Sequence, residues 1–114
     1  MSFEPHDYLR HILVEAEYLL DQRQTLTYER FAADATLRRA FVRSLEIIGE
    51  AVKNLPDEFR ASHPEVAWRP IAQMRDRLIH GYVGVDYQLV WDVVCEKLPE
   101  LKRSIQRIID SQQA

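Results

Sequence analysis

Apolar residues recur every three or four positions along almost the whole chain, the spacing of helices that bury one face. Pro5 suits the N1 position of a first helix, in which Leu9, Ile12, Leu13, Ala16, Leu19 and Leu20 follow at helical spacing. Thr25 to Thr27 interrupts the pattern, and Tyr28 to Ala33 reads as a short helical turn. Asp34 is the expected N-cap of a second long helix carrying Leu37, Phe41, Leu45, Ile48, Val52 and Leu55. Ile47 and Ala51 widen its apolar face, so it should touch more than one neighbour. Pro56 to Arg60 predicts a short helix, and Ser62 to Trp68 a loop around Pro64. Pro70 should open a third helix with Ile71, Met74 and Leu78, ending near His80-Gly81. After Gly84-Val85, Asp86 can cap a last segment with Val90, Val94, Leu98, Leu101, Ile105 and Ile108. Pro99 removes a backbone donor there and predicts a kink or a break. No stretch alternates as a strand would. The expected fold class is all-α: an up-and-down bundle of four principal helices with short extra helices, in one domain spanning residues 1–114.

Composition narrows the chemistry. The net charge is −3, whereas a dedicated nucleic-acid-binding module is usually basic. A local cationic site is still compatible with that balance. Arginine outnumbers lysine twelve to three, and a guanidinium can grip phosphate with two donors at once. Cys95 is the one cysteine, so an internal disulfide and a multi-cysteine metal site are excluded. It lies in the run Val93-Val94-Cys95 and is expected as a small core residue. His6, His11 and His63 are scattered without metal-ligand spacing, so no metal and no cofactor is expected. Trp68 and Trp91 are expected as core or interface anchors. Neither a signal peptide nor a membrane span is evident, which makes the cytoplasm the expected location.

The segment Arg75-Asp76-Arg77-Leu78-Ile79-His80-Gly81-Tyr82 concentrates the candidate chemistry. Metal-free cleavage of RNA needs a base that titrates near neutrality and a cation for the crowded phosphate. His80 and Arg75 supply both. Five residues of α-helix turn through about 500°, so these two side chains would not share a helix face. His80 is instead expected at the helix end, turned back toward the arginine or toward a second subunit. Asp76 and Arg77 are supporting candidates, the first to orient Arg75 or His80 and the second to extend the phosphate grip. Solvent-facing roles for both, a capping role for His80 and a surface ion pair for Arg75 are the alternatives. Glu46 and Glu50, one turn apart, are placed to pair with the motif arginines.

The chain resembles the HEPN domains, and more narrowly the HepT type. The family pattern Arg-x4-His-x-Tyr is occupied by Arg75, His80 and Tyr82 without a gap, with Asp76 at a commonly polar position. The resemblance extends to Ile47-Ile48-Gly49-Glu50-Ala51, to Val85 through Asp92, and to Leu98-Pro99-Glu100-Leu101. It implies a homodimeric four-helix HEPN bundle in which two copies of the motif form a composite cleft. It also implies a metal-independent endoribonuclease acting on RNA, the toxin of a type VII HepT/MntA toxin–antitoxin system. In such a system the MntA-type minimal nucleotidyltransferase is the antitoxin and adds AMP to the motif tyrosine, here Tyr82. The competing expectation is a non-catalytic HEPN dimer that binds nucleotide or the nucleotidyltransferase.

Overall fold

The computed structural model describes residues 4–79 and 84–113. Its helices are α1 (Pro5–Arg23), α2 (Tyr28–Ala33), α3 (Ala35–Asn54), α4 (Asp57–Ser62), α5 (Trp68–Ala72), α6 (Met74–Leu78), α7 (Tyr87–Glu96) and α8 (Leu98–Gln113). The described residues contain no strand beyond an isolated antiparallel bridge between Ile79 and Val85. The all-α bundle anticipated from the spacing is what forms.

The predicted stripes are the buried ones. Leu9, Ile12, Ala16 and Leu19 of α1 are fully covered, as are Phe41, Ile48 and Val52 of α3. Helix α1 lies between α3 and α8, while α5 and α6 lean on the other flank of α3. That second contact explains the wide apolar face of α3. Phe31 of α2 joins the core through rings, its centroid 4.8 Å from Phe41 and 5.3 Å from Trp91. Full burial of a phenylalanine stabilises by about 1.5–3 kcal/mol. This aromatic cluster therefore fixes α2 and α7 against α3 despite the shortness of α2.

Caps set several boundaries. The Asp34 carboxylate accepts from the Leu37 amide at 3.1 Å, and that of Asp86 accepts from Leu89 at 3.0 Å, as the sequence predicts. Pro99 has the expected effect: the last segment breaks at Lys97, between α7 and α8. A proline there cannot donate to the carbonyl four residues back. Three expectations need correction. The third helix begins at Trp68, two residues before Pro70, because a first turn needs no intrahelical donor. It is divided at Gln73 (φ −92°, ψ 3°), and its second half ends at Leu78, short of His80-Gly81. Cys95 is only half-buried; its Sγ accepts from Arg23 Nε at 3.2 Å. The core period passes through Val90, Val94 and Leu98, and Cys95 falls beside that line. Trp68 does anchor the loop before α5, donating its indole N–H to the Arg60 and His63 carbonyls.

Candidate active site around Arg75

Helix α6 is short, but its position is tightly set. Met74 and Leu78 are buried, 6% and 2% exposed, which leaves Arg75, Asp76 and Arg77 outward. On the α3 side, a Cβ on Gly49 would sit 3.3 Å from the Ile71 carbonyl oxygen. The absent side chain lets α5 approach α3 closely. One turn earlier on α3 is Glu46, and the motif arginine reaches it: Arg75 Nε lies 3.0 Å from Glu46 Oε2. The ion pair spans 29 positions of sequence. Its partners remain open to solvent, the Arg75 side chain 55% exposed and that of Glu46 27%. Glu46 holds the guanidinium by its Nε edge, so the two Nη groups remain available for a further acceptor. Of the two glutamates flagged from the sequence, this is the one that pairs; Glu50 is exposed, and its backbone carbonyl accepts from Asn54.

Arg75 and Arg77 diverge. Arg75 turns to α3, whereas Arg77 lines a groove between α5–α6 and α7–α8. Asp76 is exposed, and among the described residues its side chain makes no hydrogen bond or ion pair. Orientation of Arg75 falls to Glu46 and not to Asp76.

His80 and Tyr82 lie outside the described residues. The flanks of their segment are defined: the Asp86 amide donates to the Leu78 carbonyl at 2.9 Å, beside the Ile79–Val85 bridge. These contacts bring the chain back to the end of α6 a few residues after it leaves. Gly84 helps it return, with φ +122°, a conformation that L side chains rarely adopt. Among the described residues, no group of three His, Cys, Asp or Glu side chains could hold a metal ion. No described helix is long and apolar enough to cross a membrane.

A family model described as "Ribonuclease HepT-like" matches residues 9–108. The chain belongs to the HepT-like family. It is 50% identical over 108 residues to a protein of Caldanaerobacter subterraneus subsp. tengcongensis named "Putative RNase TTE0752", covering 95% of this chain and 96% of that one. Identity to the "Probable ribonuclease HepT" of Thermococcus cleftensis is 42% over 102 residues, 90% of this chain and 93% of that one. A "Gamma-glutamylcyclotransferase and putative RNase" of Methanocaldococcus jannaschii is 43% identical over 103 residues, 90% of this chain but 46% of the longer protein. No solved structure matches. The HEPN resemblance seen in Arg75, His80 and Tyr82 thus holds at the level of the family, and the HepT-like match includes both α3 with Glu46 and α6 with Arg75.

Proposed function

We propose that this HepT-like protein is a metal-independent endoribonuclease acting through Arg75 and His80, with two chains meeting at the motif. The observation that carries the reading is the Glu46–Arg75 pair. It holds a half-exposed guanidinium by its Nε edge and leaves the two Nη groups available to a further acceptor, five residues ahead of His80 in the sequence. A cation so held suits the charge that builds on a phosphate under attack. Membership of the HepT-like ribonuclease family and the names of the relatives support the same substrate.

In the proposed step the ribose 2′-oxygen attacks phosphorus while one His80 takes its proton. The bond from phosphorus to the 5′-oxygen breaks, and a second imidazole, His80 of the other chain, gives the leaving oxygen a proton. Arg75 stabilises the pentacoordinate phosphorus between these events. The products are a 2′,3′-cyclic phosphate and a free 5′-hydroxyl. Water is not consumed in this step, and no metal takes part.

The wider setting is part of the same proposal. The protein is the toxin of a HepT/MntA-type pair, and a minimal nucleotidyltransferase partner adds AMP to Tyr82. That group would place bulk and negative charge two residues from His80 and oppose RNA binding beside Arg75. Supporting this is the spacing of Arg75, His80 and Tyr82. The test is RNA cleavage in EDTA by wild-type, His80→Ala and Arg75→Ala proteins. Wild-type cleavage with loss in both variants supports the reading. A wild-type protein that binds its partner or nucleotide but cuts no RNA would favour the non-catalytic dimer.

A further inference from the structure

A groove of about 590 Å³ lies beside Arg77, and the proposed chemistry leaves it unused. That is the size of a small-molecule site. Its floor is apolar, formed by Met74 and Leu78 of α6 and Leu101 of α8, with Leu89 and Val93 of α7 along one wall. Four carboxylates line it, from Glu65, Asp92, Glu96 and Glu100, against two cations, Arg77 and Lys97. An anionic phosphate chain lying along this groove would meet net repulsion. A flat, neutral group with hydrogen-bond donors on one edge meets none, and it can lay its face on the apolar floor.

Asp92 is the best placed of the four acids. It is half-buried, whereas Glu65, Glu96 and Glu100 are exposed. Gln88 Nε2 donates to its Oδ1 at 3.0 Å and fixes the carboxylate, while Oδ2 has no partner among the described residues. A carboxylate offers two acceptors side by side. Of the four RNA bases, guanine alone presents two adjacent donors, N1–H and N2–H, on its Watson–Crick edge. Adenine and cytosine pair one amino group with a ring acceptor, and uracil flanks one N–H with two carbonyl oxygens.

We infer that this groove is a nucleobase subsite selective for guanine, with Asp92 reading the Watson–Crick edge and Arg77 meeting the adjoining phosphate at the rim. Arg77 is two residues from Arg75 on α6 but turns to the other side of that helix, so a base seated here would lie across α6 from the phosphate that Arg75 is proposed to engage. The inference takes its ligand class from the ribonuclease reading, yet its test requires no cleavage.

The probes are guanosine 5′-monophosphate and uridine 5′-monophosphate, titrated into the full chain and followed by methyl NMR. The guanine nucleotide should bind roughly tenfold more tightly than the uracil nucleotide, the lower part of the range for a bidentate contact to a base. The shifts should centre on Leu89, Val93 and Leu101. Asp92→Asn keeps the shape but loses one acceptor, and it should bring the two affinities together. Leu89→Trp fills the groove from one wall and should weaken both nucleotides. Discrimination that survives Asp92→Asn, shifts that centre elsewhere, or no binding of either nucleotide at millimolar concentration would overturn the assignment. Nucleotide binding by a protein that cuts no RNA would leave this site standing and remove the ribonuclease reading instead.

Discussion

Replacing Glu46 by alanine separates what the ion pair does for stability from what it does for Arg75. The Arg75 side chain is 55% exposed, so the pair contributes at most about 1 kcal/mol to folding. For a domain of this length that is a change in Tm of under about 4 °C. The effect on catalysis should be larger. Without Oε2 at 3.0 Å, the guanidinium must be ordered anew in each transition state. Ordering a long side chain costs up to about 2 kcal/mol, and partial freedom in the native state brings that to roughly 1–2 kcal/mol. At 1.36 kcal/mol per factor of ten, kcat/KM should fall about 5- to 30-fold. Arg75→Ala, which removes the charge itself, should cost roughly 10²- to 10³-fold, as loss of one transition-state donor does elsewhere. The decisive assay is the cycle of both single variants and the double variant on one RNA. Glu46→Ala should cost less than about twofold once Arg75 is already alanine, because coupled residues are not additive. Glu46→Gln keeps an acceptor and should recover most of the rate. An undiminished rate in Glu46→Ala, or an equal loss in the Arg75→Ala background, would refute the positioning role.

Three further outcomes are expected. Gly49→Val should destabilise by about 1–3 kcal/mol in thermal or urea unfolding, since its side chain would press on the Ile71 carbonyl that lies 3.3 Å from a Cβ there. A variant as stable as wild type would mean that α5 can move away freely. Sedimentation velocity should show a homodimer at micromolar concentration, and a stable monomer would remove the composite cleft. Incubation with the partner nucleotidyltransferase and ATP should place AMP on Tyr82, read by peptide mass spectrometry; Tyr82→Phe modified as fully as wild type would exclude that acceptor.

Much of the fold is written in local signals. The stripes of α1, α3 and α8 are long enough for their period to be unmistakable, and Asp34, Asp86 and Pro99 mark boundaries by mechanisms that act within a few residues. The division at Gln73 has no such mark, since neither proline nor glycine stands there. The two halves meet different neighbours, α5 against α3 and α6 against both α3 and α7, and that is a property of the packed bundle. Cys95 departs from its expected core position for a related reason: an apolar run shows hydrophobicity, while burial follows the period set by Val90 and Val94. In the site, nothing local chose Glu46 over Glu50 as the partner of Arg75. A contact 29 residues apart emerges only when Gly49 lets α5 close on α3. The groove had a fainter trace, because Leu89, Asp92, Val93 and Glu96 stand at i, i+3, i+4 and i+7 along one face of α7. An acid within an apolar stripe is its signal.

In the proposed reaction, His80 and Arg75 cut RNA by activating its own 2′-hydroxyl. End-group analysis of one defined RNA, cleaved in EDTA, tests it most directly, with a matched strand carrying a single 2′-deoxy substitution at the cleaved position. The first strand should give 2′,3′-cyclic phosphate and 5′-hydroxyl ends, and the second should show no cleavage at that position. Products with 3′-hydroxyl and 5′-phosphate ends, or cutting that continues at the deoxy position, would contradict it.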